Sequence, residues 1–241
     1  MKNLVDLHCH TLSCGHAYST IGENIQEAKK KGLKIYGTSE HGYGAIKNLK
    51  KLYFYNQKVV PDVVDGVRVL NGIEANIMDY EGTIAEEDIL PIVDYAIASL
   101  HRLCVTPGSK EENTRAILGV IQNEGIDIIG HLDDDLFPVD YPLIVREAKQ
   151  RGNILLEVNN SSLKPESFRK GGKENYIQML ECCIQYDLPI LMSSDAHFHT
   201  AVGDMSQAQQ LLEELQFPDA LVLNYQIDQL ANFLKCDLEI L

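Results

Sequence analysis

Short apolar runs recur along this chain, each separated from the next by an amphipathic stretch, and almost every run ends at a histidine or an acid. The runs cover 5–8, 34–39, 67–73, 95–100, 126–130, 154–158 and 190–194. Their length and continuity mark them as buried strands. Helical patterns fill 21–31, 112–124, 142–151, 173–186, 206–215 and 226–234. In the first of these Ile25 and Ala28 share a face, and three lysines precede Gly32. Strands alternating with helices imply βαβ units with right-handed crossovers and a parallel sheet. Seven in succession, with no glycine-rich dinucleotide loop, favour a closed barrel over an open doubly wound sheet. The segment 43–62 reads as a long loop with a helix, 79–82 as a tight turn, and 221–224 as a short apolar run. No repeat, low-complexity tract or linker divides the chain, so residues 1–241 are expected to form one α/β domain.

In a parallel α/β barrel the chemistry sits at the carboxyl ends of the strands. His8 and His10 close the first strand, and alternation of side chains along a strand turns both the same way, with Cys9 opposite. His16 lies in the loop that follows. His41 follows the second strand, Glu74 the third, His101 the fourth and His131 the fifth; Asp195 and His197 follow the seventh. A lone histidine is usually a hydrogen-bonded core or rim residue. Seven of eight histidines at one end of a barrel are not scattered, and they converge on one mouth. His199 is left as a supporting or rim residue. Nine nitrogen and oxygen ligands exceed what one ion needs and suffice for up to three, if a carboxylate bridges and water completes the shells. Imidazole-rich ligation without cysteine suits zinc, with manganese or iron as alternatives and calcium disfavoured. Cations a few ångströms apart can clamp both oxygens of a phosphoryl displacement and generate hydroxide, which directs the reading to phosphoester hydrolysis. No Gly-x-Ser-x-Gly elbow competes.

A net charge of −14 and a pI near 4.9 argue against nucleic-acid binding through a basic surface. They leave room for a metal-lined anion pocket, where bound cations dominate the field. Six cysteines (Cys9, Cys14, Cys104, Cys182, Cys183, Cys236) form no CxxC pair and read as reduced thiols, with Cys14 set apart by its place between His10 and His16. No signal peptide opens the chain, and no apolar run is long enough to span a bilayer. The expectation is a cytoplasmic protein without a membrane partner. A homo-oligomer is compatible with the sequence, which does not fix the assembly state.

The motifs Asp6-Leu7-His8-Cys9-His10-Thr11, Ser39-Glu40-His41-Gly42, Gly72-Ile73-Glu74-Ala75-Asn76, Ser99-Leu100-His101, Gly130-His131 and Ser193-Ser194-Asp195-Ala196-His197 run nearly the whole chain. In this order they resemble the polymerase-and-histidinol-phosphatase (PHP) family of metal-dependent phosphoesterases. With His16-Ala17-Tyr18-Ser19-Thr20 and Asn159-Asn160-Ser161-Ser162 they are most similar to its small stand-alone bacterial phosphatases with a trinuclear zinc site. The resemblance implies a distorted (β/α)7 TIM-like barrel. It also implies a ligand partition: His8, His10, Glu74 and Asp195 for one metal, Glu74 bridging to a second held by His101 and His131, and His16, His41 and His197 for a third. Two departures touch substrate choice. His131-Leu132-Asp133-Asp134-Asp135 adds acid near the mouth where relatives often have His-Pro, and Arg102 follows the fourth-strand ligand, facing either a phosphate or solvent.

The expected reaction is hydrolysis of phosphomonoesters of small molecules by a metal-activated hydroxide, with Glu74 and Asp195 as the catalytic carboxylates. Either Asp195 or a metal-bound water would relay a proton to the leaving alkoxide. Arg169, Lys170 and Lys173, around Gly171-Gly172, are candidates for the substrate phosphate, set against a solvated basic loop. Tyr18 is either a site residue or loop packing. The rival readings are a nuclease or phosphodiesterase of the same family, a histidinol-phosphatase, and a catalytically silent zinc-binding protein.

Overall fold

The computed structural model describes residues 1–44, 51–234 and 238. The strands are β1 (Val5–Asp6), β2 (Ile35–His41), β3 (Val63–Val64), β4 (Val67–Asn76), β5 (Tyr95–Ser99), β6 (Ile128–Ile129), β7 (Leu155–Asn159) and β8 (Ile190–Ser193). The sheet runs β1-β2-β4-β5-β6-β7-β8, each neighbouring pair parallel, and β3 adds antiparallel to β4. Between β8 and β1 the barrel nearly closes. Cys9 bridges to Ala196, and the His10 amide donates to the Ala196 carbonyl at 2.9 Å. Nearer the start of β1, the Asn224 side chain spans the same gap. Its amide donates to the carbonyls of Val5 (3.0 Å) and Met192 (2.8 Å), and its oxygen accepts the Met192 N–H (2.7 Å).

Val5, Leu7, Ile35, Leu70, Tyr95, Ile97, Ile128, Leu155 and Leu191 fill the barrel interior as one apolar cluster, burial of which is the main driving force for closure. Tyr95 crosses the middle and donates its hydroxyl to the Leu7 carbonyl at 2.6 Å. Glycine is required beside it: a Cβ on Gly37 or Gly72 would fall 2.3 Å from the Tyr95 side chain. Along β7 the inward positions read Leu155, Glu157, Asn159, apolar at the floor and polar at the mouth, while Leu156 and Val158 pack outward under the helices. Strand one does not run unbroken through 5–8. Val5 and Leu7 face the barrel interior, yet so do His8 and His10, so the alternation slips by one between Leu7 and His8. Cys9 faces the other way, against Ile25, Ala28 and Tyr36.

The helices are α1 (Ile21–Lys31), α2 (Lys51–Asn56), α3 (Lys110–Ile121), α4 (Tyr141–Arg151), α5 (Gly172–Tyr186), α6 (Ser206–Glu214) and α7 (Ile227–Leu230). Reciprocal capping boxes start two of them, Thr20 with Glu23 on α1 and Ser109 with Glu112 on α3. Within 43–62 the helix is α2; residues 45–50 of that stretch lie outside the described residues, as does Cys236. Three details differ from expectation. The Asp65-Gly66 turn, with both residues at positive φ, adds the hairpin strand β3, a signal present in the sequence as Asp-Gly between valines. The 221–224 run forms two short 3-10 turns around a Val222–Ile190 bridge. The last helix is four residues long where 226–234 was expected: residues 231–234 leave it as turns, with Leu230 and Leu234 both packed in the cluster at the barrel floor. Among the described residues Cys9, Cys14, Cys104, Cys182 and Cys183 are free thiols, and no helix is long and apolar enough to cross a membrane.

Candidate metal centre

Each of the nine residues singled out from the sequence lies at the carboxyl end of the sheet, and their donor atoms converge. His8 Nε2 lies 3.5 Å from Glu74 Oε2 and 3.7 Å from Asp195 Oδ1; His10 Nε2 lies 3.7 and 3.3 Å from the same two oxygens. His41 Nδ1 stands 2.6 Å from Glu74 Oε2. On the other side of that carboxylate, His101 Nε2 and His131 Nε2 approach Glu74 Oε1 at 3.2 and 2.8 Å. His16 Nε2 and His197 Nε2 face each other at 2.9 Å. Two of these residues need left-handed backbone to turn inward, His131 (φ 22°) and Asp195 (φ 51°), a conformation that costs energy outside glycine and clusters at functional sites.

These donors fit a metal cluster better than they fit one another. His8 Nε2, both nitrogens of His10, His41 Nδ1 and Glu74 Oε2 are buried with no hydrogen-bond partner. Such atoms are costly unless something satisfies them. His41 Nδ1 sits within bonding distance of Glu74 yet is misaligned with it, as expected when lone pairs aim at a shared point. Burial and the neighbouring His41 and His197 hold His10 well below its ordinary pKa; burial also lowers His41 and His16, which favours the uncharged rings that a cation needs. Burial alone would raise Glu74, but His41, His101 and His8 outweigh it and hold the carboxyl well below its usual range. Asp195 is likewise raised by burial and more strongly lowered by His8, His10 and Arg169.

The sequence reading missed Glu157 and assigned no role to Asn76 and Asn159, which stood in its motifs. Glu157, buried on β7, accepts the His8 Nδ1–H at 2.6 Å and the His131 amide at 2.7 Å, and also takes the Ser193 hydroxyl. The bond to Nδ1 fixes the tautomer that leaves His8 Nε2 free for a cation. Burial opposes a charge on His8, and Glu157, Glu74 and Asp195 overcome it, raising the ring well above its ordinary pKa, so a cation taken at Nε2 would displace a proton from that nitrogen. Asn76 Oδ1 orients His101 through Nδ1 at 2.9 Å, and Asn159 donates to Asp195 Oδ2 at 3.1 Å. The signal for Glu157 was a lone acid inside an otherwise apolar strand. His199 stands aside, paired with Ser19 at 3.1 Å, and Tyr18 is exposed.

A cavity of about 880 Å³ opens over the cluster. Of the three phosphate candidates, Arg169 and Lys170 line it. Arg169 contacts Ser162 Oγ at 2.9 Å and Asp195 Oδ2 at 3.4 Å. Lys173 does not line it: its ammonium pairs with Glu214 at 2.6 Å, between α5 and α6. Arg102 lines the cavity. Of the extra acids, Asp134 and Asp135 line the mouth, whereas Asp133 turns inward and is buried, bonded to Tyr176 (3.0 Å) and Ser162 (3.1 Å).

Residues 6–217 match the model of the PHP domain. The chain belongs to the PHP family. It is 41% identical to a probable phosphatase of Clostridium novyi, over 98% of this chain and 96% of that protein, and 40% identical to a probable phosphatase of Caldicellulosiruptor saccharolyticus, over 96% and 95%. Among solved structures it is similar to the histidinol phosphate phosphatase of Lactococcus lactis, crystallised with zinc, L-histidinol and phosphate. That likeness has a TM-score of 0.63 at 16% identity and covers 90% of this chain and 95% of the other. At that identity the likeness is one of fold, the nearly closed TIM-like barrel of the PHP family.

Proposed function

We propose that this PHP-family chain is a metal-dependent phosphatase that hydrolyses phosphomonoesters of small molecules at a centre of up to three divalent cations. The phosphatase class is supported by relatives of that name matched end to end. Zinc is favoured by the imidazole and carboxylate donors and by the zinc in the structural neighbour, with manganese or iron as alternatives. His8, His10, Glu74 and Asp195 would hold one ion, Glu74 with His101 and His131 a second, and His16, His41 and His197 a third. The observation that carries this reading is the division of Glu74: Oε2 faces His8, His10 and His41, while Oε1 faces His101 and His131. One carboxylate with two separate sets of imidazoles is placed to bridge. His41, 2.6 Å from Glu74, stands between the first and third sets.

Bound cations would supply Lewis acidity to the phosphoryl oxygens and acidify a water. The chain's own residues do the rest. Arg169 would take a phosphoryl oxygen through its guanidinium, held in place by Ser162 and Asp195. The leaving oxygen would take its proton from a water acidified at the centre, either directly or relayed through Asp195, whose Oδ1 faces His8 and His10 and whose Oδ2 faces Arg169. The five free thiols among the described residues fit a cytoplasmic setting.

Elemental analysis of protein purified without chelator tests the centre, paired with a phosphomonoester panel in the metal found. About three equivalents per chain and turnover of monoesters are expected. Near one equivalent that reconstitution does not raise would refute the cluster. Preference for an internal phosphodiester over a terminal phosphate on a short single strand would refute the monoesterase.

A further inference from the structure

Part of the wall of the cavity above the candidate metal centre is apolar. Leu100, Leu132 and Phe137 are buried in its base, but Leu103, Phe168 and Leu136 line it while 78%, 79% and 43% exposed. They come from the β5–α3, β7–α5 and β6–α4 connections, the loops at the catalytic end of a barrel. The last two loops form a braced frame. The Asp135 amide donates to the Lys170 carbonyl at 2.9 Å, and Asn175 donates to both the Asp133 carbonyl and Asp135 Oδ1 at 2.8 Å. On that frame Phe168 holds an Arg169 guanidinium over its ring, 5.2 Å from the centroid. Three cations, Arg102, Arg169 and Lys170, share the cavity in a chain whose net charge is −14.

Resting on the phosphatase reading above, we propose that Leu103, Leu136 and Phe168 form a subsite for a planar aromatic or heteroaromatic ring carried by the alcohol half of the phosphomonoester. The cavity far exceeds the space a phosphate needs and is of the size that takes a leaving group of drug-like dimensions. The anionic end is drawn inward to the buried Arg169 beside the candidate metal ligands, so the leaving group meets the rim, where Leu103, Leu136 and Phe168 supply the apolar surface between Arg102, Lys170, Asp134 and Asp135. A small polyol there would leave that rim wet. A flat ring stacks on the exposed Phe168 and extends the Arg169–Phe168 stack, gaining both burial and quadrupole complementarity.

The test compares kcat/KM for 2-phenylethyl phosphate and propyl phosphate, whose primary alkoxide leaving groups have nearly equal basicity, with 2-cyclohexylethyl phosphate as the non-planar control. The metal-loaded enzyme should prefer the phenyl ester over propyl about tenfold and over cyclohexyl severalfold. F168A should bring the phenyl-to-propyl ratio near one, and F168W should keep it. Equal values for phenyl and propyl esters, a ratio that survives F168A, or a cyclohexyl ester as good as the phenyl ester would overturn the proposal. If no monoester turns over, the phosphatase reading fails. The subsite is then judged by the affinities of 2-phenylethylphosphonate and propylphosphonate: about tenfold tighter binding of the ring compound upholds it, and equal affinities overturn it.

Discussion

Replacing Glu157 by glutamine exchanges one oxygen for an NH2 group at nearly constant volume and should switch the tautomer of His8. The carboxylate accepts two sets of donors. Oε1 takes the His8 Nδ1–H and the Ser193 hydroxyl, and Oε2 takes the His131 amide at 2.7 Å and Asn159 Nδ2 at 3.3 Å. A glutamine has only one oxygen to offer. The His131 N–H is backbone and cannot reverse, so the amide oxygen must take the Oε2 position and the NH2 group must face His8. The Ser193 hydroxyl can rotate to accept, but the imidazole can only accept by moving its proton from Nδ1 to Nε2. That is the nitrogen aimed at Glu74 and Asp195, 3.5 and 3.7 Å away, and once protonated it cannot ligate. Loss of such an outer partner costs 10- to 100-fold in metal affinity, about 1.4 to 2.8 kcal/mol. Chelator competition on metal-free E157Q and wild type measures the affinity, and long-range 1H–15N correlation spectra read the His8 tautomer. Wild-type affinity with the proton still on Nδ1 would refute the reasoning.

Removing the metal with a strong chelator should lower the melting temperature reversibly, since an ion at a thousandfold its Kd adds about 4 kcal/mol to the folded state; an unchanged thermal transition by calorimetry would contradict a cluster of buried unpartnered donors. R169A should lower kcat/KM about tenfold or more through the lost charge-assisted contact, whereas K173A, whose side chain is tied to Glu214 outside the cavity, should leave it at the wild-type value; equal losses in steady-state kinetics would reverse that assignment. N224A should cost about 2 to 4 kcal/mol in urea unfolding, because it strips three buried backbone groups of their partner; a change below 0.5 kcal/mol would mean the β1–β8 seam does not depend on it.

The barrel was legible because its strands are continuous apolar runs with helix-end chemistry between them, and that pattern survives local irregularity. The ligands were legible because histidine is rare and its placement at strand ends is a one-dimensional signal. What was hidden is three-dimensional. Glu157 is marked locally only as an acid inside an apolar strand; its role is hidden because its partner, His8, is 149 residues away. Lys173 lies two residues beyond Gly171, yet one helical turn carries its side chain outward to Glu214, and basic character alone could not separate it from Arg169. The slip between Leu7 and His8 was invisible because both faces of that segment are buried. Burial on both sides removes the apolar–polar alternation that reveals register.

The Asn224 seam has a consequence for the order of events during synthesis. The residues it joins, Val5 and Asn224, are 219 positions apart, and the ligands His10 and Asp195 come from opposite ends of the same span. A nascent chain therefore exposes a His-x-His pair from its earliest moments, long before the carboxylates that would complete the coordination have been translated. Whatever ion that pair captures early is held weakly and can exchange. Commitment would come only when the last connection brings Asn224 into place and shuts the ring, so the metal such a centre retains would be set by the ions present at the end of translation rather than at its start.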